Sequence, residues 1–331
     1  MSGEVMQATV TATAPDWHHV ERTASVVVYT GNTSGPSFRQ QGMSVNMGWG
    51  GGSRVFTGMT VNVETNKVVG KETITYKGTD YMKILKDSPI VASPTYDGMY
   101  MVGALYDLSR RAGIRNPIME FGDDENFFFR AGNTFRQPKV KFKPSQTIFD
   151  CMMWMLKQTN SYMFFDEFGN LHFADVPGGI MTPTGGSSGA NFVTSATSPN
   201  AILDQKNAGV DFNDTISMIR IRTVQRDMDN TFVVYTKDSG SDSAILYKKV
   251  FLNDEAAIGS YQAAVALAEK YAATMFKPFR KASVKSAGDP SVDVLHNFSI
   301  DGQSYVCMNA TKTFNAQDNS ITCEFTGKAY G

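Results

Sequence analysis

Hydrophobic and polar positions in the first ~90 residues read as strands, most clearly where the two alternate with a period of two, the signature of a half-buried strand. Ala24–Thr30 is a β-like run and ends at Gly31-Asn32. The polar stretch 31–42 carries Gly35-Pro36 and reads as a loop. Gly48–Arg54 reads as a turn leading into a strand at Val55–Val63. At Glu72–Lys77, Thr73 and Thr75 alternate with Ile74 and Tyr76. This unit closes at Gly78-Thr79-Asp80 with a short apolar turn, Tyr81–Leu85.

The period changes after Ser93-Pro94. Met101, Leu105, Leu108 and Ala112 recur at helical spacing, and Gly113 stops the run. A second helix follows Pro144, with Ser145 or Thr147 as its cap and Ile148, Phe149, Met152, Met155 and Leu156 as its apolar stripe. Tyr162–Phe165 and Leu171–Phe173 flank a turn, Asp166–Asn170, whose Gly169 suits a positive φ. The Gly/Ser/Thr-rich stretch 177–200 reads as a long loop or linker. Beyond it, strands are expected at Ser217–Val224, Thr231–Thr236 and Ala244–Phe251. An Ala-rich helix is expected over 254–276 and a strand over 282–288. The last two strands fall at Gln303–Phe314 and Ser320–Lys328.

These patterns predict an α+β fold that is mostly β. They divide the chain into a β unit (1–93), an α/β middle region (94–176), the linker (177–200) and a second β-rich unit (201–331) with one long helix.

Composition adds little to this and excludes a good deal. Hydrophobic residues make up 42% and charged residues 19%, which suits a folded chain and excludes disorder. The balance of 31 basic and 32 acidic residues leaves no overall field to draw nucleic acid or an anionic membrane. No window approaches the ~18 apolar residues of a membrane span. The opening Met1–Gln7 lacks the basic and apolar regions of a signal peptide, so synthesis without secretion by that route is expected. The cysteines number 3, too few for a disulfide framework. A hairpin turning around Asn315–Asn319 would put Cys323 opposite Thr311, with Cys307 ~13 Å away at ~3.3 Å per residue. All three are therefore expected to be buried free thiols.

Each candidate for chemistry has a plainer reading. Gly48–Gly52 matches no phosphate-binding pattern and precedes a strand, not a helix. His18 and His19 are adjacent, so they diverge, and His172 and His296 have no ligand at chelating spacing. Asp123-Asp124-Glu125 could supply a carboxylate pair for glycoside hydrolysis, but a solvated turn is the plainer reading; Phe127–Phe129 beside it reads as packing. Cys151 sits in an apolar helix, which makes a thiol inert. Asp166-Glu167 occupies a turn whose default is solvent. Lys139, Lys141 and Lys143 would line one face of a strand as a solvated or interface edge. No catalytic residue, cofactor site or metal site is assigned, and the chain reads as a non-enzyme.

Two stretches carry a resemblance. Arg54-Val-Phe-Thr-Gly-Met-Thr-Val-Asn-Val63, followed by Tyr76-Lys-Gly-Thr-Asp80 and an apolar turn, resembles the first barrel of phage baseplate hub proteins. These include the late-control-protein-D type, the hub part of type VI spike proteins and the hubs of contractile prophages. Pro144–Leu156 followed by Tyr162–Phe173 is similar to the middle region of that family, where a helix opening feeds a hairpin. The order of the C-terminal elements also fits, including Gly302–Val306 in a final long hairpin. Residues 1–50 lack clear opening strands, and Asp293–Phe298 lacks the Pro-Gly-Asp expected before the last hairpin.

The resemblance implies two tube-type β-barrel domains around an α/β region, in a homotrimer forming a pseudo-sixfold ring. Such a ring would join the hexameric tail tube, or its initiator, to the central spike and let tape-measure protein or DNA pass. Other baseplate proteins would be neighbours, in a virion assembled in the bacterial cytoplasm. Spike and lysozyme parts would be separate chains, and neither specific nucleic-acid binding nor a membrane anchor is implied. Two other readings stay open: another tail part of tube, distal-tail or receptor-binding type, and a tail-associated hydrolase centred on Asp123, Asp124 or Glu125.

Overall fold

The computed structural model describes residues 4–16, 18–29, 40–48, 52–68, 71–96, 99–120, 128–129, 140–159, 161–175, 191–193, 201–213, 215–223, 234–239, 249–256, 261–276, 278–287 and 292–330. The chain opens with two long strands, β1 (Glu4–Asp16) and β2 (His19–Tyr29), paired antiparallel. β3 (Gly42–Met47), β4 (Ser53–Val68) and β5 (Lys71–Thr79) follow, and β5 pairs back onto β2. β1 was not anticipated. Its inward positions are Ala8, Val10, Ala12 and Ala14, too small to stand out as a hydrophobic alternation. Its outward threonines meet threonines across the strands, Thr9 with Thr313 at 3.4 Å and Thr11 with Thr311 at 3.3 Å.

The resemblance motif in β4 has a steric basis. Phe56 is fully buried, and a Cβ on Gly58 would lie 2.7 Å from its ring and 2.2 Å from the Thr79 carbonyl. Only glycine allows β4 and β5 to approach so closely there.

The middle region holds α1 (Met82–Asp87), β6 (Thr95–Tyr96), β7 (Met99–Tyr100), α2 (Met101–Arg111), β8 (Ile118–Glu120), β9 (Phe128–Phe129), β10 (Val140–Lys141), α3 (Ile148–Thr159), β11 (Ser161–Phe165) and β12 (Leu171–Asp175). α3 starts with a reciprocal capping box. Thr147 Oγ1 accepts from Asp150 N at 3.1 Å, and Asp150 Oδ2 accepts from Thr147 N at 3.0 Å. Gly113 and Gly169 take φ of 84° and 87°, ending α2 and turning the β11–β12 hairpin as expected. The three helices and the hairpin enclose a core of Met82, Leu85, Leu105, Leu108, Met152, Leu156, Met163, Phe165 and Phe173.

The C-terminal part comprises β13 (Asn191–Phe192), β14 (Ile202–Asp211), β15 (Met218–Thr223), β16 (Val234–Asp238), β17 (Val250–Ala256), α4 (Tyr261–Met275), β18 (Phe279–Ala287), β19 (Asn297–Ile300), β20 (Gln303–Asn315) and β21 (Ser320–Tyr330). α4 covers a three-stranded sheet through Ile219, Ile221, Ala268 and Tyr271.

A 14-stranded sheet runs through the molecule in the order β14-β18-β21-β20-β1-β2-β11-β12-β8, with the β5-β4-β3 meander branching from β2. The N-terminal hairpin therefore sits between the middle region and the C-terminal strands, because β1 pairs β20 while β2 contacts β11. The α+β, mostly β fold is the one expected from the sequence.

Several boundaries differ from expectation. The long helix begins at Tyr261, not 254, because the backbone of β17 stays in the sheet, pairing with β15 as far as Ala256. The strand expected at Ala244–Phe251 starts at Val250, with 241–248 outside the described residues. The lysine-bearing strand ends at Lys141, since Pro144 and Ser145 already form a turn, so Lys143 follows the strand; Lys139 lies outside the described residues. The final hairpin is one residue out of the expected register, because its turn places Asn315 opposite Ser320 and therefore Lys312, not Thr311, opposite Cys323. Cys151, Cys307 and Cys323 are buried and form no disulfide.

Candidate functional site

Among the described residues, the candidates named from sequence meet at one place, where Asp166 contacts His172. Asp123, Asp124, Glu125 and Phe127 lie outside the described residues. Gly48 and Gly52 turn the chain between β3 and β4 at φ of 137° and 59°. Among the described residues, no group of three or more His, Cys, Asp or Glu is placed to hold a metal ion. The Cys151 thiol is pushed up to about 12 by burial and, secondarily, by Asp150. No helix among the described residues is long and apolar enough to cross a membrane.

Asp166 overturns its solvent default. Its side chain is 15% exposed and accepts hydrogen bonds from Phe168 N (2.9 Å), Asn170 N (2.7 Å) and Asn170 Nδ2 (2.8 Å). His172 Nε2 adds a fourth contact at 3.1 Å. Burial works against this carboxylate, but His172 and Asn170 outweigh it and hold it at about 2. His172 stacks on Phe164 at 4.7 Å between centroids. Its Nδ1 lies 3.4 Å from Glu120 Oε1, within ion-pair range but without hydrogen-bond geometry. Burial opposes the charge of His172, and the two carboxylates raise its pKa overall. The arrangement ties the hairpin turn to edge strand β8; no nucleophile is described beside it.

The most unusual constellation was not read from the sequence. Arg22, Asp80, Asp293 and Lys312 are all buried and come from four distant parts of the chain. The alternation of β2 turns Val20, Arg22, Ala24, Val26 and Val28 to one face, so the guanidinium is carried inward with the valines. Its Nη2 donates to Asp293 Oδ2 at 3.2 Å. Its Nε and Nη1 are buried without a hydrogen-bond partner. The backbone N–H of Arg22 donates to Asp80 Oδ2 at 2.8 Å, and Met82 N donates to Asp80 Oδ1 at 3.1 Å. Asp80 thereby fastens β2 to the first turn of α1.

Two carboxylates beside one guanidinium are driven in opposite directions. Burial dominates at Asp80 and raises it to about 6, despite Arg22 and two backbone donors. Asp293 is also penalised by burial, but Arg22, Lys312 and the Val294 N–H overcome this and hold it at about 2. The difference follows the contacts, because the guanidinium points at Asp293 and only the Arg22 main chain meets Asp80. His296 is lowered chiefly by burial; its Nδ1 accepts from Asp293 N at 3.3 Å.

Around this centre lies a second layer, in which His18 and His19 are buried and Glu21 and Lys86 are partly exposed. Glu21 Oε1 accepts from His19 Nε2 at 2.8 Å and from Lys86 Nζ. The His19 partner first, then Lys86, keep Glu21 at about 2 against its burial. Lys86 sits 5.0 Å over the Phe149 ring, and His19 meets the same ring edge-on at 5.1 Å. His18 Nδ1 lies 2.9 Å from the Ser161 carbonyl. The junction thus joins β2, α1, α3, β11 and the turn before β19. Its chemistry is that of a structural bolt.

Comparison with known proteins locates this fold. No protein-family model and no curated protein matches the chain. A tail protein from Neisseria meningitidis MC58 superposes with a TM-score of 0.68 at 14% identity, covering 98% of this chain and 92% of that one. The 43 kDa tail protein of prophage MuSo2 from Shewanella oneidensis gives 0.67 at 12% identity, covering 98% and 94%. An Escherichia coli component of the type VI secretion system, described as similar to tail proteins of bacteriophage T4, gives 0.54 at 9% identity, covering 99% and 74%. The chain shares its fold with these phage tail proteins, in keeping with the resemblance in its sequence.

Proposed function

We propose that this chain is a structural hub of a phage tail or of a phage-derived contractile injection machine. The observation that carries the reading is the whole-chain similarity of fold to two tail proteins and to a type VI component. In this reading residues 1–93 and 201–331 supply two tube-type barrel domains around the middle region 94–176. A homotrimer of such chains forms a pseudo-sixfold ring between the hexameric tail tube and the trimeric spike. Tape-measure protein and DNA pass through it, and it resides in the virion baseplate or tail tip. The chain acts by packing and not by catalysis. The buried junction supports this, because it spends charged groups on joining segments of the chain.

Mass photometry combined with negative-stain imaging tests the reading. Particles of three times the chain mass with a central hole are expected. A compact monomer without a hole, over the concentration range used to assemble tail rings, would overturn it.

A further inference from the structure

Residues 292–307 are attached to the rest of the molecule in an unusual way. His296 N donates to the Asp293 carbonyl at 3.0 Å, closing a four-residue turn. Leu295, its third residue, has φ of 68°, where type II turns place glycine. A branched side chain there is strained, and such strain persists only where the surroundings enforce it. Val294-Leu295 thus stand where a Pro-Gly pair would make an unstrained turn.

Arg22 reaches the first residue of this turn, whose carboxylate also accepts from Val294 N at 2.7 Å. The guanidinium holds Asp293 through a single contact while Nε and Nη1 stay unpartnered. A buried ion pair satisfied so sparsely gives back little of its desolvation cost. A third feature lies along β20. The β20–β21 register shifts between Cys307 and Asn309, and pairing of β20 with β1 begins only at Asn309. A bulge therefore separates the start of β20, which pairs with β19 and reaches β21 at Val306 and Cys307, from the part embedded between β1 and β21. Before it, the turn is tied to β20 by Leu295 N to Cys307 O (2.7 Å) and Cys307 N to His296 O (2.9 Å). Buried Val292, Val294, Phe298, Ile300 and Val306 oppose release, as do the pairing of β19 with β13 and of Val306 and Cys307 with β21, so opening is a rare event.

We propose that residues 292–307 form a strained latch, held shut by Arg22 and hinged at the Cys307–Asn309 bulge, that opens as a unit while β1 and β2 stay paired. Under the hub reading, the latch gives the ring a second state to adopt when the tail acts. The latch itself does not depend on that reading and is measured on the chain alone.

Native-state hydrogen exchange, resolved by residue, tests it. In the unmodified protein the Leu295 and Cys307 amides should exchange together, at least ~10-fold faster than the slowest amides of β2. Exchange at the same rate as β2 would overturn the proposal. In Asp293→Asn the same two amides should speed up by a further ~10-fold with β2 unchanged. Parallel acceleration of β2, or no change at either place, would also overturn it. Should that variant fail to fold, Leu295→Asn supplies a residue that tolerates positive φ. It should reduce the strain yet remove the buried leucine. Pairwise movement of Leu295-site and Cys307 exchange, apart from β2, is again required.

Discussion

The core of the middle region and the charged junction are buried to the same degree and are built in opposite ways. Around α2 and α3, side chains such as Leu105, Met152 and Leu156 are fully enclosed and apolar. At the junction, Arg22 and Lys312 are each 4% exposed, Asp80 1% and Asp293 8%. The first region gains from every atom it takes out of water. The second must recover the solvation of four ionisable groups by placing them against each other, and two guanidinium donors remain unpaired. Apolar burial is tolerant of detail, whereas buried charge rewards only one arrangement. The junction therefore specifies which segments meet more than it stabilises their meeting.

The largest effects should come from deleting one side of either region. Asp293→Ala leaves Arg22 as an uncompensated buried cation and should cost ~3–5 kcal/mol in denaturant unfolding. Phe173→Ala in the apolar core should cost a similar ~3–5 kcal/mol. The two are told apart by compensation. The pair Arg22→Met with Asp293→Leu should recover most of the loss, because replacing a buried ion pair by packed apolar groups is often neutral or stabilising. No second substitution should rescue Phe173→Ala in that way. If the double variant is as unstable as Asp293→Ala, the junction is a net stabiliser and the contrast fails.

Acidity sharpens the comparison next. Asp80 is raised from its ordinary value of 3.8 to about 6, so its stabilising effect belongs to the protonated form and is lost as pH rises from about 4 through 6. The raised His172 works in the same direction, losing its contribution as pH rises through its folded pKa. Asp293, Asp166 and Glu21, all lowered, contribute above their unfolded values and lose this as pH falls toward about 2. Thermal stability should therefore rise modestly from pH 7 to about 4.5 and fall below about 4. The shift at Asp80 corresponds to roughly 3 kcal/mol as an upper figure at ~1.36 kcal/mol per pKa unit. Asp80→Asn should remove most of the rise and leave the acid fall; an unchanged rise would assign it to His172.

Smaller effects should follow local rules. Thr147→Ala removes the Oγ1 acceptor at the start of α3 and should cost ~1 kcal/mol, read by thermal or denaturant unfolding. Lys83→Ala removes an exposed i,i+4 pair with Asp87 and should change stability by no more than ~0.5 kcal/mol.

The helices were legible because their signals are local. α2 reads from Met101, Leu105, Leu108 and the stop at Gly113. α3 reads from a cap at Ser145 or Thr147, of which the structure uses Thr147, and from its stripe of Ile148, Phe149, Met152, Met155 and Leu156. The hairpin over Tyr162–Phe173 reads from alternation and one glycine. Less legible was β1, whose alanines and threonines gain their meaning only between β2 and β20. The start of α4 was misplaced for a related reason: pairing with β15 overrides the helical tendency of Asp254-Glu255-Ala256. The junction left a faint trace, since Arg22 and Lys312 stand on inward positions of otherwise apolar alternations, and Asp80 fell within a stretch that resembled the hub family. An inward charge in a strand does not say which carboxylate it will meet.

By itself, then, the sequence determined what depends on neighbours a few residues apart: helix stripes and caps, the glycine turns, the mostly β character, and the order of motifs that resembles tail hubs. Tertiary structure decided what depends on groups hundreds of residues apart. It paired β1 with β20, brought Arg22 to Asp293, pushed Asp80 and Asp293 in opposite directions, and placed Leu295 at a glycine's φ. Pairing register, desolvation and strain have no value until the partner strands are in place, which is why only the folded chain could set them.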